Sequence, residues 1–180
     1  MLRHTRPALA LATALTLVAC ATRPAVPLED AALTRMVAER DLAGKSVGEG
    51  TFSAINGTER GFTAYLDGTW DGEVLTLVED FEYDDGEIDK KPWRLTKRAD
   101  GEYSGTREDV GTARGYNDGE VFRLEYDVRL PGKDGEPGMK VSFKDVLAKR
   151  ADGVIINNAN VGKFGFRVAR VELTITPTVD

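Results

Sequence analysis

From Gly44 to the end of the chain, apolar and polar residues alternate with a period of two. In VFRLEYDVRL, Phe122, Leu124, Tyr126, Val128 and Leu130 fall on one face, and Arg123, Glu125, Asp127 and Arg129 on the other. MKVSFKDVL places Met139, Val141, Phe143 and Leu147 together, and RVELTI does the same for Val171, Leu173 and Ile175. Strict alternation of this kind predicts half-buried strands. Between the runs stand Asn56-Gly57, Asp67-Gly68, Asp71-Gly72, Asp85-Gly86, Asp100-Gly101, Asp118-Gly119, Asp134-Gly135 and Asp152-Gly153. Such dipeptides suit type I′ hairpins, where both central residues take positive φ. The pattern predicts an all-β antiparallel meander of about 8–10 strands over residues 44–180.

A sheet that long removes its edges by curling or closing. The expected architecture is therefore a lipocalin-like (calycin-like) barrel with its apolar faces inward. Transmembrane barrels also alternate, with the apolar side out. The strands here lack aromatic girdles, and the sequence closes on Thr178-Val179-Asp180 rather than on an aromatic residue. Ahead of the strands, Leu28, Ala32, Leu33, Met36, Val37 and Arg40 recur at helical spacing, with Glu29 and Asp30 in the first turn. That predicts a short N-terminal helix over residues 28–43, ending near Gly44.

The first residues read differently. Arg3 and Arg6 precede an uncharged, mostly apolar run from Ala8 to Val18. The run is too short to span a membrane as a helix and has the layout of a signal peptide. Leu17-Val18-Ala19-Cys20 resembles the bacterial lipobox. The resemblance implies a cleaved leader over residues 1–19, lipidation at Cys20 and a tether over residues 20–27, in which Pro24 and Pro27 oppose folding. Acyl chains at Cys20 would hold the domain to a membrane, by about 0.8 kcal/mol per buried CH₂. Ala21 in place of Asp favours the periplasmic leaflet of the outer membrane.

Loss of the leader removes His4, the only histidine, and lipidation would consume the only cysteine. That excludes a histidine-based triad, a cysteine nucleophile and His/Cys metal sites from the mature chain. No cofactor is expected. The net charge of −6 becomes −8 once Arg3 and Arg6 are gone. This opposes nucleic-acid binding.

The stretch EDFEYDDGE, residues 79–87, holds six acids in nine residues. Period two resolves it. Asp80, Glu82 and Asp84 share the polar face, and Asp85-Gly86 forms the turn. Glu79 shares the apolar face with Leu75, Leu77, Phe81 and Tyr83. By the same rule Asp145 lies with Phe143 and Leu147. Two carboxylates are thus expected inside the barrel, where each must be paired, hydrogen-bonded or protonated. The candidate interior polar or ligand-binding residues are Glu79, Asp145, Tyr83, Tyr103, Asn157 and Lys163, with Arg107, Arg170 and Asn158 as further partners for the acids. DDGEID lacks the ligand spacing of an EF-hand. NNANVGKFGF, residues 157–166, reads as a hairpin with a turn or bulge at Gly162 and Gly165 and Lys163 at its tip. Trp93 and Leu95 share one face, and Pro92 implies an edge or a bulge.

Several of these residues also form a recognisable set. Gly68-Thr69-Trp70-Asp71-Gly72, Glu79-Asp80-Phe81-x-Tyr83-x-Asp85-Gly86-Glu87, Trp93-x-Leu95, Tyr103-x-Gly105-Thr106, Asp109-Val110, Phe143-x-Asp145 and Lys163-Phe164-Gly165-Phe166 resemble the bacterial lipoprotein family "domain of unknown function 3833". The likeness covers about residues 42–175. It implies a lipid-anchored, β-rich periplasmic domain with no assigned activity. Family members tend to be encoded near cyclopropane-synthase-like enzymes that modify fatty acids, which implies a lipid-related role. The chain departs from the family pattern at Asn158, where Arg is usual, at Val146, where Trp is usual, and at Lys144, where Asp is usual.

Three functions are compatible with this reading. The first is a non-catalytic barrel binding a small apolar or fatty-acyl ligand. The second is a structural or assembly lipoprotein of the envelope with a packed core. The third is a carboxylate-based enzyme using Glu79 and Asp145.

Overall fold

The computed structural model describes residues 23–27, 32–131 and 137–178. The leader, Cys20, the start of the expected helix and the Asp134-Gly135 turn lie outside the described residues. A two-residue strand, β1 (Leu33–Thr34), and one helical turn, α1 (Ala38–Asp41), come first. Ten further strands follow among the described residues: β2 (Gly44–Ala54), β3 (Glu59–Trp70), β4 (Val74–Tyr83), β5 (Ile88–Lys97), β6 (Tyr103–Arg107), β7 (Val110–Asp118), β8 (Val121–Pro131), β9 (Pro137–Arg150), β10 (Ile155–Lys163) and β11 (Phe166–Pro177). Each pairs antiparallel with the next, and β11 pairs with β2 from Ala169↔Ala54 to Pro177↔Ser46. The meander therefore closes into a barrel, as the alternation predicts. Leu75, Leu77, Trp93, Leu95, Phe122, Leu124, Leu173 and Ile175 are buried within it.

The turns differ from the expected type. Among the described residues only Phe164 is a non-glycine with positive φ, at 51°. In four hairpins the Asx residue stays on the ordinary side of φ and only the following glycine crosses over. Asn56 Oδ1 accepts from Thr58 N at 3.1 Å, Asp85 Oδ1 from Glu87 N at 3.1 Å, Asp100 Oδ1 from Glu102 N at 3.0 Å, and Asp152 Oδ1 from Val154 N at 3.1 Å. These are turns followed by a glycine bulge, and the Asx side chain is selected for that hydrogen bond. Phe164-Gly165, at φ 51° and 83°, is the pair with both residues across. The β10–β11 tip is therefore Phe164-Gly165 rather than Lys163, and a register shift between Val161 and Gly162 supplies the bulge.

Asp67-Gly68 is not a turn at all. It lies inside β3, opposite Val78 and Leu77. A Cβ on Gly68 would sit 1.7 Å from the carbonyl oxygen of Leu42, so the glycine admits the backbone that follows α1. That backbone closes one end of the barrel. Met36, Ala38 and Leu42 are buried with the floor residues Leu75, Leu95, Tyr103, Phe122 and Ile155. Polar bonds fix the plug at its edges. Lys149 Nζ pairs with Asp41 at 2.7 Å, Asn117 Nδ2 donates to the Met36 carbonyl at 2.6 Å, and Glu39 binds both Lys97 and the Tyr103 hydroxyl.

Among the described residues, the helix expected over residues 28–43 is limited to α1 for a physical reason. Leu33 covers an outer apolar strip of Val121, Val146 and Ala148, together with Val26. Met36, Ala38 and Leu42 enter the floor instead. One straight helix cannot serve an outer wall and an inner floor together, so Leu33–Thr34 pairs with Arg150 and Lys149 as a strand.

Replacing Gly68 by Ala should overpack this contact and lower stability by about 2 kcal/mol. Thr69→Ala, on the exposed face beside it, should stay within about 0.5 kcal/mol of the parent. Thermal and urea unfolding of the two variants compare them directly.

Candidate functional site

The barrel interior divides in two. The floor half is packed solid; a Cβ on Gly115 would lie 2.6 Å from the Phe122 ring. Toward the other end, the mouth, the inward side chains are large; Trp93 and Phe62 are buried, and Phe81, Tyr83, Tyr126 and Phe143 only partly so. Trp93 of β5, Tyr126 of β8 and Phe143 of β9 form one aromatic wall. Trp93 meets Tyr126 edge-on at 5.0 Å, and Tyr126 stacks on Phe143 at 5.1 Å and 7°. Phe62, Phe81 and Tyr83 form a second cluster, with centroids 5.5–6.0 Å apart. Glu79 and Tyr126 are half-buried among these inward rings.

Glu79 stands on the inner wall between Leu66 of β3 and Lys91 of β5. Its Oε2 accepts from the Trp93 indole N–H at 3.2 Å. The Arg107 guanidinium lies 4.5 Å from the Trp93 ring and 5.6 Å from the Tyr126 ring. That cation is held by Asp109 through two bonds of 2.5 and 2.9 Å. Lys91 lies over Phe81 and is paired with Asp89. Asp145 is flanked in register by Leu124 and Ala159, with no cation beside it on either strand. Its Oδ1 and the Asn157 Oδ1 are buried without a hydrogen-bond partner.

Burial pushes the Glu79 carboxyl up to about 7, against the Arg107 charge, the Trp93 hydrogen bond and Lys91. Burial pushes Asp145 up to about 8, reinforced by the Glu79 charge and opposed by Arg107, Tyr126 and Asn157. Each acid thus feels the other. Near neutral pH the pair can release or take up a proton, and can present both hydrogen-bond donors and acceptors. Among the described residues, no group of three or more His, Cys, Asp or Glu is arranged to hold a metal ion.

The wall beside this site is low. β6 pairs with β5 only over Arg94–Lys97, so the first half of β5 has no neighbour on that side. Pro92, which lacks an N–H, falls in this unpaired half, as an edge proline should. The notch opens beside Arg107, the last residue of β6.

Of the residues expected inside, Glu79, Asp145 and Asn157 come together here, with Arg107. Others do not. Tyr103 is in the floor, bound to Glu39 at the plug. Tyr83 lies at the mouth under Arg60, whose guanidinium is 3.6 Å from its ring. Lys163 is on the mouth hairpin, 5.1 Å from the Phe164 ring. Arg170 is an exposed outer residue near Glu172. The same fate meets Asn158. It lies opposite Val146 across β9–β10, on the outer face. Two of the three positions where the chain departs from the family pattern, Asn158 and Val146, are therefore cross-strand neighbours on the outer wall. The sequence reading missed Tyr126 as a site residue, although its hydroxyl on an apolar face was a signal.

A closed antiparallel barrel, plugged at one end and lined with acids and aromatic rings toward the other, defines a lipocalin-like protein. The chain matches the family described as "Protein of unknown function (DUF3833)" over residues 14–177 and belongs to it. No curated protein matches it in sequence. Its fold is similar to that of the S-type phycobiliprotein lyase from Guillardia theta, with a TM-score of 0.59 and 10% identity over 79% of this chain and 91% of the lyase.

Both acids ionise more readily when unfolded, so the native chain binds more protons between about pH 4 and pH 8, and stability falls as pH rises through that window. Asp145→Asn and Glu79→Gln should match the parent near pH 4 and exceed it at pH 9 by about 2 kcal/mol each. Urea unfolding at the two pH values measures this. Equal stability offsets at both would show that the acids are not buried at a cost.

Proposed function

We propose that the chain is a membrane-tethered, non-catalytic binding module that holds a small apolar or acyl-chain ligand in the mouth half of its barrel. The observation that carries this reading is the inward cluster of Glu79, Asp145 and Asn157 among Trp93, Tyr126 and Phe143, where Asp145 Oδ1 and Asn157 Oδ1 are buried without a hydrogen-bond partner. The shared fold of a phycobiliprotein lyase supports a barrel that handles another molecule. A purely structural core would have closed the acids with a direct ion pair, and Asp145 has none on its neighbouring strands. Protein beginning at Ala21 keeps every described element and should carry a lipid-like adduct in native mass spectrometry, released by organic solvent. Apoprotein alone, with no change in Trp93 fluorescence on adding acyl-chain ligands, would count against the proposal.

The mouth supports the membrane part of the reading. Its hairpins present Ile55, Ile88, Leu130, Met139, Phe164 and Phe166 to solvent, with Phe164 88% exposed. A bulky residue at positive φ is strained, and such strain concentrates at functional positions. Lys163 and Arg167 flank Phe164, a pairing suited to phospholipid headgroups. The segment before the barrel climbs toward this end. Val26 lies against Val121 and Val146, whereas Arg23 reaches Glu125, further along β8, at 2.8 Å. An anchor at Cys20 would thus hold the mouth toward the bilayer, in the periplasmic leaflet of an outer membrane. Radiolabelled palmitate should enter the full chain and be lost in Cys20→Ala. In protein beginning at Ala21, Phe164→Ser with Ile55→Ser should reduce flotation with anionic phospholipid vesicles at least fivefold without changing the melting temperature. Unchanged flotation would remove the rim from the reading.

A further inference from the structure

The polar atoms around Glu79 and Asp145 bear on the kind of head group a ligand would bring. Asp145 is 7% exposed, and its Oδ1 has no hydrogen-bond donor. Asn157 Oδ1, nearby on β10, is in the same position. Glu79 adds a third acceptor, with only the Trp93 N–H bound to it at 3.2 Å. The two unfilled polar atoms beside Glu79 are thus both oxygens. The nearby cations are already committed: Arg107 to Asp109 and Lys91 to Asp89. A buried acceptor without a donor is costly, and water fills such positions until a better donor arrives.

From this arrangement we infer that the ligand presents hydrogen-bond donors, as an amine, amide or hydroxyl on an apolar body, and is not a free carboxylate. The inference rests on the proposed ligand-holding role. A carboxylate head would add acceptors beside two oxygens that lack donors, and negative charge beside two acids. An N–H or O–H head satisfies Asp145 Oδ1 and Asn157 Oδ1, while its apolar body lies on Trp93, Tyr126 and Phe143. A site that leaves buried polar groups unpaired with the wrong ligand discriminates strongly between isosteres. An ammonium would in addition draw the acids into their charged form and release their proton to the solvent.

The test compares decylamine, decanamide and decanoate, which share one chain length, with protein beginning at Ala21 at pH 7.5. Trp93 fluorescence gives the affinities, and calorimetry in buffers of different ionisation enthalpy gives the protons exchanged. Decylamine and decanamide should bind at least tenfold more tightly than decanoate, and decylamine should release protons. Asp145→Leu or Asn157→Leu should bring the three ligands within about threefold of one another. Asn157→Leu decides the matter if the Asp145 variant does not fold, because it removes no charge. Decanoate binding as tightly as the amine, or a preference that survives Asn157→Leu, overturns the inference and leaves the binding module standing. Failure of all three ligands to bind overturns both.

Discussion

The ladder between β11 and β2 is the constraint on which the rest of the molecule depends. It joins the last strand to the first long one, from Ala169↔Ala54 to Pro177↔Ser46, and turns an open meander into a barrel. Closure removes both sheet edges and creates an inside that must be filled. The chain fills that inside asymmetrically. One half holds the fully buried Tyr103, Phe122, Leu75, Leu95 and the plug residues Met36 and Ala38, whereas toward the mouth Phe81, Tyr83, Tyr126 and Phe143 are only partly buried.

The two halves differ in electrostatics as well as in packing. At the floor, each polar group has a partner: Asp41 has Lys149, Glu39 has Lys97 and Tyr103, and Asn117 has the Met36 carbonyl. These bonds tie the N-terminal segment to strands far away in sequence. Around Glu79, Arg107 and Lys91 are committed to Asp109 and Asp89, and Asp145 and Asn157 keep oxygen atoms without donors. Polar groups that stabilise a fold are satisfied; those held unsatisfied inside one lower its stability, and such costs are characteristic of sites.

Much of the fold was legible because a barrel strand has two clear environments. Period two placed Glu79 and Asp145 inside, and Asp80, Glu82 and Asp84 outside, with no knowledge of the partner strands. The segment before the barrel was not legible in this way. Its apolar residues repeat at helical spacing, yet Leu33 serves the outer wall and Met36 the floor. Gly68 shows the same limit. Its sequence context is that of a turn, but the reason for the glycine is a carbonyl oxygen from Leu42. Tyr83, Tyr103 and Lys163 carry the right chemistry at the wrong height along the barrel, and alternation gives the face of a residue without its depth.

By itself, the sequence determined the class of fold, the position of most hairpins and the inward direction of two acids. These follow from local rules: alternation, the φ freedom of glycine and the side-chain hydrogen bonds of Asx turns. Only the tertiary structure decided which acids meet, that Arg107 is bound by Asp109 beside Trp93, and that Asp145 faces apolar neighbours. Those outcomes depend on register between strands far apart in the chain and on closure of the barrel. The acidic run at residues 79–87 carries both lessons. Its polar face is ordinary surface, fixed by period two, and its one inward carboxylate acquires chemistry only from β5, β6, β8, β9 and β10.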